Sequence, residues 1–347
     1  MKKSHKDNII LGIESSCDDT SAAVLINGKI CSNIIANQEV HKQYGGVVPE
    51  LASRAHQQNI VPVVNTALEQ ANVKANELSA IAFTKGPGLL GSLMVGTSFA
   101  KSMALGLAIP IIDVHHMKAH VLAHFIKQEN QNNKLSPKFP FLCLTVSGGH
   151  TQIVLVEDFL KMKVIGETID DAAGEAFDKA AKQLGIDYPG GPLIDKIAKN
   201  GNENTYGFTY PKVGELNYSF SGLKTQFLYF LQKNTKDNPQ FVSNNIENIC
   251  ASYQKHIVSY LLKKLEKAIK KTGCKDIAIA GGVSANSKLR SELLKLGEKT
   301  NCRVFIPAFE FCTDNAAMIA MTGYFMYKEK LFASQDVTPL PRINFSQ

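Results

Sequence analysis

Within PIIDVHHMKAHVLAHF (110 to 125), His116 and His120 stand four residues apart. On a helix that spacing puts two imidazoles on one face, with Cβ atoms about 5 to 6 Å apart, the distance at which they can share one metal ion. The apolar run before them reads as a strand ending near Asp113 that feeds such a helix. A zinc protease would need a glutamate directly after the first histidine as general base; here Met117 and then Lys118 follow. A metal on this pair would therefore bind or polarise a substrate oxygen. The third ligand should be an acid, and Asp314 in EFCTDNAAM is the candidate, although a helix cap is the other use for an aspartate there. Mixed nitrogen and oxygen ligation suits Fe(II) or Zn(II). His115 and His124 thicken the cluster but point elsewhere on a regular helix.

The elements that must position these groups come in two similar sets. NIILGIESSCDDTSAAVLINGKI near the start reads as a strand, a turn of small polar residues, a second strand and an Asn27-Gly28 hairpin. PFLCLTVSGGHTQIVLVEDF (140 to 159) repeats that plan around a Ser-Gly-Gly-His-Thr turn. A strand, a glycine-rich turn and a helix follow in each half, at 81 to 107 and at 277 to 296. This order predicts duplicated α/β lobes. Glycine turns that open helices let backbone N–H groups approach a phosphate beside a positive dipole end, so a nucleotide held between the lobes is expected.

The polar, aperiodic stretch KQENQNNKLSPK (127 to 138) is the natural crossing between lobes. The expected division is 1–130 for lobe I, joined by a C-terminal helix from about 325 to 347, and 131–324 for lobe II. Residues 200–227, rich in Gly, Asn and aromatics, read as an irregular insertion. Apolar residues at helical spacing after Asp314 predict a helix capped by Thr313 or Asp314 that returns to the first lobe.

Composition narrows the class. The 347 residues are 44% apolar, enough to bury a large core across about two domains. No run of about 18 apolar residues occurs, which argues against a membrane-spanning helix, and the N-terminal apolar run is too short and too soon interrupted by acids for a signal peptide. The seven cysteines are scattered without C-x-x-C spacing and read as reduced cytosolic thiols, several in apolar runs where they act as small hydrophobes. The net charge of +7 favours a polyanionic partner only modestly. The lysines of KKLEKAIKK (263 to 271) have helical spacing and are expected on a solvated face.

GIESSCDDTS, HHMKAH, VSGGHTQ, DDAAGEAFDKAAKQLG, DYPGGP, GGVSAN and CTDNAAM, with QYGGVVPELASRAH at 43 to 56, occur in an order and at spacings that resemble one family from about residue 9 to about residue 326. It is the bacterial form of the tRNA adenosine threonylcarbamoyltransferases, once described as O-sialoglycoprotein endopeptidases. The resemblance implies a duplicated, two-lobed actin-like (ASKHA) α/β fold, like sugar kinases and Hsp70-type ATPases. It also implies transfer of the threonylcarbamoyl group from threonylcarbamoyl-AMP to N6 of adenosine 37 in tRNAs that read codons beginning with A, with release of AMP. Matched by position, His116, His120 and Asp314 are the metal ligands, for one iron, Fe(II), per subunit, with zinc able to replace it in vitro. Thr145, Val146, Ser147, Gly148 and Gly149 match the substrate turn, and Asp178, Gly191, Asp195 and Asn286 match further nucleotide contacts. Asp18 or Asp19 is the candidate proton acceptor. Besides tRNA, the expected partners are a small actin-like paralogue and an ATPase, all in the cytoplasm.

Two positions depart from the family's usual pattern. Lys118 replaces a glutamate and is expected to face solvent or tRNA, and Asp19 stands where several members carry glutamate. Two other readings remain. A phosphotransferase of the same fold does not explain a histidine pair, because magnesium prefers oxygen ligands. A scaffold paralogue would lack His116, His120 and Asp314.

Overall fold

The computed structural model describes residues 7–127 and 135–345. In chain order its elements are β1 (Ile9–Glu14), β2 (Thr20–Ile26), β3 (Lys29–Ala36), α1 (Pro49–Gln70), β4 (Ala80–Gly86), α2 (Leu90–Leu107), β5 (Ile111–His115) and α3 (His116–Leu122). There follow β6 (Phe141–Val146), β7 (Thr151–Val156), β8 (Met162–Glu167), α4 (Ala173–Gln183), α5 (Gly190–Ala198), α6 (Ser221–Asp237) and α7 (Phe241–Thr272). The chain ends with β9 (Asp276–Ala280), α8 (Ser287–Thr300), β10 (Arg303–Phe305) and α9 (Ala316–Lys328).

Two five-stranded sheets form, in the orders β3-β2-β1-β4-β5 and β8-β7-β6-β9-β10. Each has the third, second, first, fourth and fifth strand of its set side by side, so the duplication expected from the sequence is present in topology. In both, the first two strands pair antiparallel while the first, fourth and fifth run parallel. The β2–β3 turn has Asn27 at φ 50° and Gly28 at φ 84°, the left-handed pair that a two-residue hairpin demands.

The chain divides into two compact units. The first comprises Met1–Ser136, Phe159–Met162 and Ala308–Gln347. On one face of its sheet, Ile60, Val63, Val64 and Ala67 of α1 and Ala100 and Ala104 of α2 are buried with Leu11, Ile13, Val24 and Phe83. α9 packs against β1, β2, β4 and β5 of the same sheet. That contact requires glycine at position 12, where a Cβ would lie 2.5 Å from the Ala316 carbonyl oxygen and 2.7 Å from the Ala320 nitrogen.

This packing corrects the expected boundary at 324. The segment from Ala308 and all of α9 belong with the first unit, because α9 lies close against this sheet at Gly12 of β1 and, through its own Gly323, at Ala82 of β4. Phe159, stacked on Phe325 with ring centroids 3.8 Å apart, draws its own short segment into the same unit. The other expected boundary, at 130 and 131, lies outside the described residues, as does most of the polar stretch around it. The cap of α9 is also corrected. Asn315, in extended conformation, accepts a hydrogen bond from the Met318 N–H at 3.0 Å, so neither Thr313 nor Asp314 serves there.

The second unit comprises Pro137–Asp158 and Lys163–Pro307. Its core gathers Leu142, Leu144, Phe177, Tyr218, Phe227, Tyr253, Leu261 and Ile279, all buried. Part of the expected insertion, 221–227, is corrected, since it forms the first turns of α6, whereas residues 200–220 contain no helix or strand, as their composition predicts. Their aromatics are nonetheless fixed: Tyr210 stacks on His256 at 4.3 Å and Phe208 meets Phe227, Phe230 and Tyr253. Lys263, Lys267, Lys270 and Lys271 are exposed as expected, but Lys264 is buried and donates to the Gly214 and Glu215 carbonyls at 2.8 and 3.1 Å. Burial of this lysine pins the insertion to α7, since its ammonium finds its acceptors only in that loop. Among the described residues no helix is long and apolar enough to cross a membrane, and none of the seven cysteines is in a disulfide.

Candidate metal centre and substrate turn

β5 ends at His115 and α3 begins at the next residue. The His115 ring accepts a hydrogen bond from the Met117 N–H at 3.2 Å, capping the helix and setting its first turn. His116 and His120 then lie one turn apart, ring centroids 4.7 Å from each other and nearly perpendicular. From the N-terminal side of α9 comes Asp314, whose Oδ1 lies 3.3 Å from His116 Nε2 and 3.2 Å from His120 Nε2. One ligating atom from each of the three residues falls within 4.8 Å of the other two. Both histidines are buried.

Behind His116 stands Glu14, the last residue of β1, with no exposed surface. Its Oε2 lies 3.0 Å from His116 Nδ1. This residue was not singled out from the sequence. The available signal was an acid closing an otherwise apolar strand, and it was read only as an interruption of that strand.

Electrostatics set the two rings apart. Burial disfavours an imidazolium at either position. At His116 the carboxylates of Asp314 and Glu14 outweigh burial and hold the pKa well above that of an ordinary histidine. At His120 burial prevails and the pKa falls, leaving the neutral ring that ligates metals. Asp314, despite burial, is held far below the usual carboxylate range by the two imidazoles. Two ring nitrogens facing one ionised carboxylate oxygen must each present either an N–H or a lone pair on a shared metal ion. Two imidazoles and a carboxylate suit a divalent transition metal.

Asp18 and Asp19 lie in the turn between β1 and β2, both half-buried. The turn is anchored from several sides. The Cys17 carbonyl accepts from Ser92 Oγ at 2.9 Å and pairs with His56 Nε2 at 3.0 Å, and the Ser16 carbonyl accepts from the Leu89 N–H at 2.7 Å. Burial and the neighbouring charges of Asp18, Asp314 and Glu14 push Asp19 up to about 7. Lys118 is half-buried, its Nζ 5.9 Å from the centre of the Phe345 ring.

The glycine turn between β4 and α2 is another correction to the expected phosphate loops. The Gly88 N–H donates to the Pro341 carbonyl at 3.1 Å and the Leu89 N–H to Ser16, so these donors are already committed within the protein. Here glycine serves the close approach of the chain's C-terminal segment.

In the second unit, Thr145 and Val146 are buried at the end of β6, and Ser147, Gly148 and Gly149 form the following turn. The Ser147 N–H donates to the His150 carbonyl at 2.8 Å, and the His150 N–H to Ser147 Oγ at 3.1 Å. A Cβ on Gly148 or Gly149 would meet nothing within 4 Å. Beneath the turn lies Gly174 of α4, which the sequence reading did not single out. Its N–H donates to the Ser147 carbonyl at 3.2 Å, and a Cβ there would lie 2.6 Å from that oxygen.

One turn along α4, Asp178 Oδ1 accepts the N–H groups of Gly190 and Gly191 at 2.9 and 3.2 Å, and burial raises its pKa against those hydrogen bonds. Asp195 accepts from Gln254 Nε2 at 2.9 Å and from both the hydroxyl and the N–H of Ser287, at 2.8 and 3.1 Å. Asn286 caps α8 through Leu289 N–H at 2.9 Å. The structure thus joins Asp178 to Gly191, and Asp195 to the residue following Asn286.

Comparison with known proteins bears on both clusters. Residues 29–321 match the family described as tRNA N6-adenosine threonylcarbamoyltransferase. The protein so described from Christiangramia forsetii is 60% identical over 336 residues, covering 97% of this chain and 98% of that one. Its counterpart from Riemerella anatipestifer is 58% identical over 337 residues, covering 97% and 98%. Among solved structures, HypF of T. kodakarensis superposes with a TM-score of 0.63 at 12% identity, over 96% of this chain and 49% of that one. That likeness speaks for the fold alone, and the fold is the duplicated actin-like one.

Proposed function

Because the chain belongs to the tRNA N6-adenosine threonylcarbamoyltransferase family, as the match over residues 29–321 and 60% identity across nearly its whole length show, we propose that it transfers the threonylcarbamoyl group of threonylcarbamoyl-AMP to N6 of adenosine 37 in tRNAs reading codons that begin with A. The observation that carries this reading to particular residues is the convergence of His116 Nε2 and His120 Nε2 on Asp314 Oδ1.

The donor's carbonyl belongs to a mixed anhydride with AMP, a good leaving group, so no covalent enzyme intermediate is needed. A bond forms between adenosine N6 and the carbonyl carbon, the bond from that carbon to the phosphate oxygen breaks, and AMP departs with the electron pair. The work left to the enzyme is positioning and charge stabilisation. His116, His120 and Asp314 would hold one divalent metal, which we assign as iron. Such an ion supplies Lewis-acid stabilisation of charge developing on donor oxygens.

Thr145 to Gly149 bind the donor, and the open space above Gly148 and Gly149 is what a close-lying phosphate or acyl group needs. Asp178 keeps its second oxygen for a ribose hydroxyl, because Oδ1 already serves Gly190 and Gly191. Gly191 contributes through that same junction. Asn286 retains its amide NH2, its oxygen being used by the cap. Asp195 has donors on both carboxylate oxygens, so any ribose contact competes with Ser287.

N6 of adenine is a poor nucleophile because its lone pair is delocalised, and a carboxylate that takes its proton during attack assists. Asp19 is the better suited of the two aspartates, since burial and the carboxylates around it raise its pKa and make it the stronger proton acceptor. Asp18 raises that pKa by its charge. tRNA is the acceptor substrate. A small actin-like paralogue, an ATPase and a separate enzyme that makes the adenylate complete the assembly in the cytoplasm.

The test is a pH–rate profile of N6-threonylcarbamoyladenosine formation in unmodified tRNA, read by nucleoside mass spectrometry with metal-loaded chain, its partners and the donor. The rate should climb as pH rises and Asp19 ionises, then level, with the rise below the value of about 7 that burial and the neighbouring carboxylates set in the metal-free chain, because a divalent ion on Asp314 offsets their charge. Asp19→Asn should lose about 10²-fold or more together with that rise. An unaltered rate and profile in the variant removes Asp19 from the role, and a wild-type chain that modifies no tRNA under these conditions removes the function.

A further inference from the structure

A carboxylate with no exposed surface persists in a protein only when its acceptors are filled. Glu14 meets that condition with donors from three separate places. The Ser16 N–H donates to Oε1 at 2.5 Å, the Thr84 hydroxyl on β4 donates to Oε2 at 2.6 Å, and His116 Nδ1 lies 3.0 Å from Oε2. The first two bonds involve no part of α3. They aim the carboxylate independently of the histidine, so the glutamate is placed to orient the ring, with the Ser16 hydroxyl, 3.3 Å from the same Nδ1, as a longer second contact.

We propose that Glu14 is a positioning residue for the metal: it holds the proton of His116 on Nδ1, so that Nε2 presents its lone pair toward Asp314 and the ion they share. This rests on the metal-site reading of His116, His120 and Asp314. An outer carboxylate on a ligating histidine fixes both its tautomer and its ring orientation, and raises its basicity as a ligand. The two histidines differ here. His120 Nδ1 is buried with no hydrogen-bond partner among the described residues. His116 is thus the ligand anchored from behind by a carboxylate, and His120 has no such anchor.

The substitution that separates this role from simple packing is Glu14→Gln, nearly the same shape without the charge. Co(II) affinity is measured on the full chain by competition with a chromophoric chelator, and the visible spectrum of the bound cobalt is recorded. Circular dichroism and thermal unfolding check the fold. Glu14→Gln should bind Co(II) about 10- to 100-fold more weakly than wild type, with a shifted visible spectrum. Thr84→Val, which removes one of the two bonds that aim the carboxylate, should weaken binding in the same direction by less. It also keeps the inference testable if Glu14→Gln does not fold. Glu14→Asp, which withdraws the carboxylate by one methylene, should not restore wild-type affinity. Wild-type affinity and spectrum in a folded Glu14→Gln chain, or in Thr84→Val should Glu14→Gln not fold, overturn the inference alone. A wild-type chain that takes up no cobalt overturns the metal-site reading, and this inference with it.

Discussion

Replacing His116 with alanine is expected to yield a chain that no longer holds stoichiometric metal and forms N6-threonylcarbamoyladenosine about 10²- to 10³-fold more slowly. The ring meets Asp314 through Nε2, Glu14 and the Ser16 hydroxyl through Nδ1, and His120 edge-on. Its removal takes one of three ligands and leaves the buried Glu14 and the half-buried Asp314 without the imidazole that both face. Breaking such a buried pair costs about 3 to 5 kcal/mol in general, so thermal unfolding should fall alongside metal content. His120→Ala should lose metal and activity too, but with less destabilisation, because Glu14 keeps its partner. Metal content by inductively coupled plasma mass spectrometry and nucleoside analysis of tRNA check the result. Unchanged values of both in His116→Ala would exclude the histidine from the site.

The second large effect is expected in the other unit. In Gly174→Ala the new methyl group would stand 2.6 Å from the Ser147 carbonyl oxygen and 2.9 Å from the Gly148 Cα, so the turn or α4 must shift. A displacement of about 1 Å at a binding group can cost about 10²-fold in rate. The loss should appear in use of the donor, while metal content stays at the wild-type level, since none of the metal ligands belongs to this unit. Gly149→Ala is the companion variant. Its Cβ enters open space, so stability should hold while donor use falls, because that space is where the donor is proposed to lie. Steady-state kinetics against threonylcarbamoyl-AMP, with metal analysis of the same preparations, separates the cases. Wild-type kinetics in Gly174→Ala would move donor binding away from the turn.

What could be read in the sequence divides along the range of the interactions. Asn27-Gly28, the recurring hairpin and the His116/His120 spacing are local signals, in which turn chemistry or helical periodicity acts within a few residues, and the structure reproduces them. Glu14 is tied to His116 across 102 positions in the chain, and no local pattern announces such a contact. The boundary at 324 was misplaced for a similar reason. The placement of α9 depends on the missing Cβ of Gly12, some 300 residues away. The glycines at 86 to 91 show how one residue type serves two ends: a turn that could cradle phosphate instead gives its N–H groups to Pro341 and Ser16. The cap is Asn315 where Thr313 or Asp314 was expected, and that leaves the Asp314 carboxylate to the imidazoles. Lys264 has the same sequence pattern as its exposed neighbours and is buried only because the loop carrying Gly214 and Glu215 folds over it.

The assignment on which the rest depends is where the ion sits. Crystals of the metal-loaded chain, measured on both sides of the metal's absorption edge, report this without reference to activity. The expected result is one anomalous peak per chain at bonding distance from His116 Nε2, His120 Nε2 and the Asp314 carboxylate. A stoichiometric peak elsewhere, with none of those three side chains at bonding distance from it, would contradict it.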